Sequence, residues 1–150
     1  WLAHQIQNPG IKILWAPVIQ SIEGLGKGYF GELLELCLGE ENVGIVSPDE
    51  VSSDYKGWGY NKCVSVLNEI RLKGQNRYDI INSLKPFITD KSVRINIKHV
   101  NQFKTINTTN YLCFTNYKDA LPLDKSDRRW WIVFADIELL CNCSICCSPG

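Results

Sequence analysis

The sequence lacks the features that would place the protein in a membrane or send it through one. None of its apolar runs approaches the ~20 residues that a membrane-spanning helix needs. The first residues, Trp1-Leu2-Ala3-His4, have neither the basic stretch nor the small-residue cleavage site of a secretory signal. We therefore expect a cytoplasmic protein. Because the chain starts at Trp rather than Met, we also expect a fragment of something longer.

The sequence also lacks an excess of charge and a histidine-based metal site. Its 16 Lys and Arg residues balance 16 Asp and Glu residues, so the formal net charge is zero. That balance excludes a global basic field, and any polyanion must be bound by a local patch. The two histidines, His4 and His99, do not have the spacing of metal ligands, and we interpret neither as catalytic.

Cysteine usage separates the end of the chain from the rest. Cys37, Cys63 and Cys113 lie inside apolar runs, which predicts buried reduced thiols. The other four cysteines crowd into the last ten residues, where they could bind zinc, although we favour a disordered or aberrant terminus. We predict one domain over residues 1–138 and a Cys-rich tail over 139–150.

Apolar strand patterns alternate with helical patterns along the chain, which is typical of an α/β fold with a parallel sheet. A first helix should pack on the core through Trp1, Leu2 and Ile6. Pro86 should close a helix that starts at 76. The predicted strands cover 16–22, 43–47, 63–67, 111–116 and 130–135, and an alternating stretch over 92–98 should pair back on 103–106 as a hairpin.

A glycine-rich turn joins the first predicted strand to the helix that starts at Lys27. Gly24 and Gly26-Lys27 partly match the phosphate-binding pattern G-x-x-x-x-G-K-[ST]. Ser21 stands in place of the first glycine, and Gly28 stands in place of the hydroxyl residue that binds Mg²⁺. On this stretch alone, a phosphate-binding loop and a glycine-rich turn without a ligand remain alternatives.

Polar residues follow other predicted strands, at the edge where ligands of parallel sheets bind. Asn68-Glu69 and Thr115-Asn116 end two strands, and Arg128 and Arg129 precede the last one. Each has an ordinary structural interpretation. Glu69 could pair with Arg71, Asn116 could cap a turn, and the arginines could pair with Asp124 or Asp127.

Taken in order, these pieces resemble a known family. They are similar to the AAA+ ATPase core of superfamily 3 helicases, in particular the helicase domain of phage and plasmid primase-helicases of the primase-polymerase type. The resemblance covers roughly residues 1–136. The matching segments are Trp1–His4 with Pro9-Gly10, Glu23–Lys27, Val66–Arg71, Leu84–Thr89, Lys98, Asn107–Asn110, Phe114–Asn116 and Asp127–Arg129.

The resemblance implies a P-loop NTPase (AAA+-like) three-layer α/β sandwich with a mostly parallel central sheet of about five strands. It implies ATP and Mg²⁺ as cofactors. Lys27 and the amides of 24–28 would hold the outer phosphates, and Asn68 with Glu69 would hold Mg²⁺ indirectly. The nucleotide-binding residues that it implies are Glu23, Gly24, Leu25, Gly26, Lys27, Gly28 and Asn68.

The resemblance also implies catalytic and DNA-binding roles. Glu69 would polarise the attacking water, and Asn116 would position it. Arg128 or Arg129 would reach ATP in a neighbouring subunit as an arginine finger. Lys85 and Lys98 match two lysines of a segment that reaches DNA in this family.

The implied function is an ATP-dependent DNA helicase module of a phage or plasmid replication protein. It would work in a bacterial host or phage-infected cell, as a homo-oligomeric ring on single-stranded DNA without sequence preference. Gly28 and Asn68 depart from the family pattern by removing a hydroxyl and an acid. One alternative is therefore a catalytically weak ATP-binding assembly module. Another is a P-loop kinase or nucleotide transferase, which would need a substrate lid that the sequence does not show.

Overall fold

The computed structural model describes residues 1–68, 77–117 and 127–135, with the backbone alone at 77–80. Four α-helices and two single-turn 3₁₀ helices, Glu40–Asn42 and Gly57–Gly59, lie among these residues. The helices are α1 (Leu2–Gln7), α2 (Tyr29–Leu38), α3 (Pro48–Ser52) and α4 (Arg77–Thr89). The strands are β1 (Ala16–Ser21), β2 (Val43–Val46), β3 (Val64–Leu67), β4 (Ser92–Ile95), β5 (Phe103–Ile106), β6 (Asn110–Thr115) and β7 (Trp130–Ala135).

Five strands form a central sheet in the order β2-β3-β6-β1-β7, and every neighbouring pair is parallel. This confirms the predicted parallel sheet of about five strands. Strand β1 lies between β6 and β7, so the chain segments that leave β1 and β6 emerge side by side. Strands β4 and β5 form a separate antiparallel hairpin, as expected from their alternating pattern.

Helices cover both faces of the sheet and create two hydrophobic cores. Along β6, Tyr111 and Cys113 point to one face, and Leu112 and Phe114 point to the other, because successive side chains of a strand alternate. The first core includes residues of α3, α4 and the hairpin, and the second includes residues of α1 and α2. The molecule is therefore a three-layer α/β sandwich, as predicted.

Helix α4 does not end at Pro86, so that prediction is wrong. The helix continues to Thr89 because the carbonyl of Pro86 still accepts a hydrogen bond from the backbone N–H of Asp90, at 2.9 Å. Asn107 completes this end of the helix. Its Nδ2 donates to the carbonyls of Phe87 at 2.7 Å and Asp90 at 2.9 Å, which satisfies acceptors that the helix end leaves free.

The N-terminal segment is fixed to the sheet by a buried polar network as well as by apolar contacts. Trp1 and Leu2 pack against the second core as expected, but Ile6 is 40% exposed and its neighbour Gln5 is fully buried. The Nδ2 of Asn110 donates to Gln5 Oε1 at 2.9 Å and to the carbonyl of Ile11 at 2.8 Å. Loss of this contact would leave the buried oxygen of Gln5 without its partner, at a cost of about 1–3 kcal/mol.

The cysteine prediction is only partly confirmed. Cys113 is completely buried, and burial raises the pKa of its thiol. Cys63 is half-buried, whereas Cys37 is exposed on α2, so its interpretation as a buried thiol is wrong. The tail cysteines lie outside the described residues.

Within the described part of the chain, no helix is both long and apolar enough to cross a membrane.

Candidate nucleotide-binding site

The glycine-rich segment forms a loop between the end of β1 and the start of α2. Gly24 and Gly26 have φ angles of +84° and +73°, values that side chains with a Cβ rarely adopt. The backbone of Gly28 has the right-handed helical conformation. This residue directly precedes the helix, so the first N–H groups of the helix border the loop. The predicted strand, loop and helix are thus confirmed, with bounds that differ by at most two residues.

This loop forms one wall of a cavity of about 490 Å³. Residues 23–28 of the loop line it, and its other walls come from the ends of neighbouring strands and from α3. Those residues are Ile45, Ser47, Pro48, Glu50, Asn68, Phe114 and Asn116. The structure therefore brings the implied nucleotide-binding residues, with Asn116, to a single cavity.

Lys27 lies folded back over the end of β1. Its Nζ donates to Ser21 Oγ at 2.8 Å, to the carbonyl of Ile22 at 3.0 Å and to Asn116 Oδ1 at 2.5 Å. The pairing of β1 with β6 places these groups together, because Gln20 and Thr115 are register partners at the ends of the two strands. Ser21, the departure from the glycine pattern, holds the lysine directly.

Asn68 forms the opposite wall, where β3 ends beside β2. Its backbone N–H donates to the carbonyl of Val46 at 3.0 Å, so the strand pairing continues up to this residue. The adjacent Ser47 begins α3 with a capping box. The Oε2 of Glu50 accepts from the backbone N–H and the hydroxyl of Ser47, each at 2.8 Å.

Sequence reasoning missed the contribution of β2 and α3 to the cavity. The order Ser47-Pro48-Asp49-Glu50 is a capping-box signature directly after an apolar strand, and it could have located Glu50 at the carboxyl edge of the sheet. No comparable sequence signal marks Ile45 or Phe114 as cavity residues. Glu69, Arg71 and Asp124 lie outside the described residues.

The two candidate finger arginines have different surroundings. Arg129 forms a bidentate ion pair with Asp127, with Nε–Oδ1 and Nη2–Oδ2 distances of 2.9 and 3.0 Å. Partial desolvation alone would raise the pKa of Asp127, but the hydrogen bonds and charge of Arg129, with the charge of Lys85, outweigh it and lower that pKa. Arg128 is exposed. The structure therefore contains the intrachain pair considered as an alternative for Arg129.

The two candidate DNA-binding lysines lie on different elements. Lys85 is on α4, where its Nζ donates to Asn82 Oδ1 at 2.7 Å, and it is close enough to Asp127 to help lower the pKa of that carboxyl. Strand β4 ends at Ile95, earlier than predicted, and Lys98 is exposed in the turn of the hairpin. That turn is closed by a hydrogen bond from Val100 N–H to the carbonyl of Ile97 at 3.0 Å.

The α/β fold of this domain is similar to that of a viral helicase. The chain matches the JCV helicase with a TM-score of 0.55 at 16% identity, over 89% of this chain and 38% of that one, a level at which only the fold is shared. Its sequence is more specific. The chain belongs to the family of unknown function DUF5906, whose model matches residues 19–129.

Two further comparisons involve a phage protein. The chain is 27% identical over 135 residues to the DNA primase-polymerase of Nitratiruptor phage NrS-1. The apo structure of the C-terminal region of NrS-1 superposes with a TM-score of 0.80 at 25% identity, over 90% of this chain. The chain spans 18% of the primase-polymerase and 33% of the C-terminal-region structure, so it corresponds to a part of each.

Proposed function

We propose that this chain is an ATP-dependent DNA helicase module of a phage or plasmid replication protein, of the superfamily 3 type. The observation that carries the proposal is that Lys27, hydrogen-bonded to Ser21 and Asn116, lines a cavity together with Asn116 and a glycine loop. A lysine positioned there can move to a phosphate anion with a small change of its side chain. The similarity to a phage primase-polymerase supports replication as the setting.

The cavity supports a nucleotide as the ligand. Its volume of about 490 Å³ is within the range of small-molecule sites, roughly 300–1,000 Å³. Backbone N–H groups at the start of α2, together with the charge of Lys27, suit the phosphates. Gly24 and Gly26 allow the backbone to approach them without a Cβ in the way.

The oxygen donors around the cavity also fit Mg²⁺, which prefers oxygen ligands. Asn68 offers an amide oxygen, and Glu23 and Glu50 offer carboxylates on two walls. We propose that Asn68, with Glu69 after it, holds the ion indirectly. When bound, Mg²⁺ neutralises charge that develops on the phosphates during hydrolysis. Gly28 contributes no hydroxyl to the ion, so the residues on the wall opposite the loop must provide more of the Mg²⁺ binding.

In the proposed reaction, Lys27 leaves the Oδ1 of Asn116 and binds the outer phosphates. Asn116 is then available to orient the attacking water, which Glu69 polarises. Arg128 is the better candidate for the arginine finger, because the guanidinium of Arg129 is already paired with Asp127. ATP would then lie between two subunits of a homo-oligomeric ring.

The hairpin supports DNA binding through phosphates. Arg94 and Lys104 are register partners on its two strands, and both are exposed. Like charges placed directly opposite destabilise a hairpin, and a bound polyanion would offset that cost. They line a second cavity of about 470 Å³ together with Lys91, and Lys98 lies in the turn. We propose these four residues as the DNA-binding surface, together with Lys85, whose charge also acts on Asp127.

DNA-stimulated ATP hydrolysis tests this function. We expect turnover by the chain, assembled with any flanking segment that it needs, to increase when single-stranded DNA is added. Arg94→Ala and Lys104→Ala should each weaken DNA binding and reduce its salt dependence by about one unit of slope. The control is Lys62→Ala. Lys62 lies away from the hairpin, and its Nζ donates to the carbonyl of Glu41.

A second candidate function is an ATP-binding assembly module with weak catalysis. Gly28, Asn68 and the Arg129–Asp127 pair favour it, because each removes a group that hydrolysis normally uses. This candidate predicts nucleotide binding with no DNA-stimulated turnover. A kinase or nucleotide transferase would instead transfer phosphate to an acceptor other than water.

A further inference from the structure

Glu50 lines the cavity, but it belongs neither to the phosphate-binding pattern nor to the segments that resemble the helicase family. It comes from α3, after strand β2, whereas the implied metal-holding residues follow strand β3. Glu50 nevertheless lines the same cavity as Asn68 and the glycine loop. Glu50 is exposed, and Ser47 is the partner of its Oε2.

Strand pairing places this carboxylate beside Asn68. Val46 and Leu67 are register partners, and the N–H of Asn68 donates to the carbonyl of Val46 at 3.0 Å. Ser47, the residue that follows β2, is therefore adjacent to Asn68. Oε2 of Glu50 accepts two hydrogen bonds from Ser47, so the carboxylate lies beside Ser47. Asn68, the neighbour of Ser47, carries no negative charge.

Helix α3 holds Glu50 on a rigid base. Its neighbour Val51 is 2% exposed in the first core, and the indole Nε1 of Trp58 donates to the carbonyl of Glu50 at 3.3 Å. Trp58 in turn packs against Phe87, with ring centroids 5.2 Å apart. Oε2 is fixed by Ser47, and the second oxygen, Oε1, has no hydrogen-bond partner among the described residues.

We propose that Glu50 supplies the negative charge that Asn68 lacks and helps to hold Mg²⁺ with the nucleotide. This inference rests on the proposed nucleotide site and adds a residue to it. The carboxylate acts from α3, directly through Oε1 or through a water molecule of the hydrated ion. Glu50 thereby adds, from α3, a negative charge that is absent at Asn68.

The test measures binding of the non-hydrolysable analogue AMP-PNP to the full chain by calorimetry, with Mg²⁺ and with EDTA. In Glu50→Gln the amide oxygen can still accept from Ser47, but the charge is gone. We expect the Mg²⁺-dependent gain in affinity to fall about tenfold or more, as for other residues that support a metal site. Binding in EDTA should stay equal to wild type or become tighter, because an anionic wall opposes phosphate.

Three variants separate this role from a structural one. Asp49→Asn removes the same charge from the same helix outside the cavity and should leave the Mg²⁺ effect unchanged. Ser52→Ala removes a hydroxyl that bonds the carbonyl of Pro48 on the same helix, outside the cavity, and should retain the Mg²⁺ effect. Adding Asn68→Asp to Glu50→Gln should restore the lost Mg²⁺ effect.

The outcomes also separate this inference from the proposed function. If wild type binds AMP-PNP in neither condition, the nucleotide site itself is wrong and the inference falls with it. If wild type shows a Mg²⁺ effect that Glu50→Gln retains in full, Glu50 is only a helix cap and nucleotide binding stands. An equal loss in Asp49→Asn and Glu50→Gln would also overturn the inference, because it would indicate general surface charge.

Discussion

The Nζ of Lys27 lies 2.5 Å from Oδ1 of Asn116, a residue 89 positions later in the chain. The contact joins the glycine loop after β1 to the end of β6, and it exists because those strands are neighbours in the sheet. A lysine and an amide held together at one cavity form the centre of the proposed site. Any phosphate that binds Lys27 must compete with this hydrogen bond.

Asn116 should matter for hydrolysis more than for binding. Asn116→Ala removes the acceptor that holds Lys27 and the amide that would position water. We expect analogue affinity to change little or improve, because the lysine is released. Turnover should fall about 10²-fold, the scale for loss of one aligned hydrogen bond in a transition state. Single-turnover hydrolysis beside equilibrium binding measures both effects.

Asn82→Ala, which removes the hydrogen-bond partner of Lys85 on α4, is the control for Asn116→Ala. It should change neither quantity. Equal turnover in Asn116→Ala and wild type would leave Asn116 as a turn residue that happens to contact Lys27.

The conformation of the loop predicts opposite effects for two glycines. Gly26 has φ +73°, and a Cβ there would meet no atom within 4 Å, so the cost of Gly26→Ala is conformational. We expect a loss of about 1–2 kcal/mol in the free energy of unfolding. Gly28 has a right-handed backbone conformation, and a Cβ there would also meet no atom within 4 Å. Gly28→Ala should therefore be neutral or stabilise the protein by up to about 1 kcal/mol. Urea unfolding of both variants checks the contrast, and equal effects would contradict the loop geometry.

Lys12 should make stability depend on pH above neutrality. Burial lowers the pKa of Lys12 to about 7, and its Nζ donates to the carbonyls of Phe87 and Thr109. Between pH 7 and the unfolded-state pKa of 10.5, the unfolded chain binds the extra proton, so stability rises with pH. The slope cannot exceed about 1.4 kcal/mol per pH unit.

Urea unfolding at pH 7, 8 and 9 measures that slope. Lys12→Met keeps the length of the side chain and removes its titration, so the rise should be smaller in the variant. Lys104→Met, which changes an exposed lysine, is the control. Identical pH profiles for Lys12→Met and wild type would show that the amine titrates normally.

The local elements could largely be predicted from the sequence, because each depends on neighbouring residues. The strand at Trp130–Ala135 and the stop of α2 at Gly39 follow from apolar runs and a glycine with φ +87°. The continuation of α4 past Pro86 and the burial of Gln5 could not be predicted in this way. The partners of these two residues, Asn107 and Asn110, lie far along the chain and become neighbours only when the sheet has formed.

The candidate site was predictable to a similar extent. The glycine-rich pattern predicted Lys27, and the ends of two strands predicted Asn68 and Asn116. The strand order brings all three to one cavity. Glu50 could not be predicted from these patterns, because it belongs to the helix after β2 and matches neither of them. Sequence patterns also cannot decide which of the two arginines pairs with an aspartate. Only the geometry pairs Arg129 with Asp127.

The two arginines should therefore have separable effects. Arg129→Ala breaks a bidentate pair and should lower thermal stability, whereas Arg128→Ala should leave folding unchanged and lower turnover by ~10³-fold if it acts as a finger. Mixing Arg128→Ala chains with Glu69→Gln chains, each inactive alone, should restore part of the activity. Restoration requires junctions where an intact Arg128 meets an intact Glu69 across subunits.

The mixing experiment needs an assembly that sedimentation shows to be oligomeric, and homogeneous preparations of each variant are its baselines. Absence of recovered turnover in proven mixed assemblies would remove the finger in trans. A folding defect in Arg128→Ala would assign that residue a structural role.

The central claim is that this cavity binds a nucleotide through Lys27, and calorimetric titration with AMP-PNP and Mg²⁺ tests it most directly. Wild type should bind. Lys27→Ala should bind much more weakly, because it keeps the glycine loop and loses the charge that faces the outer phosphates. Lys62→Ala, which changes a lysine away from the cavity, should bind like wild type. Equal affinities for wild type and Lys27→Ala, or no binding by wild type, would contradict the account.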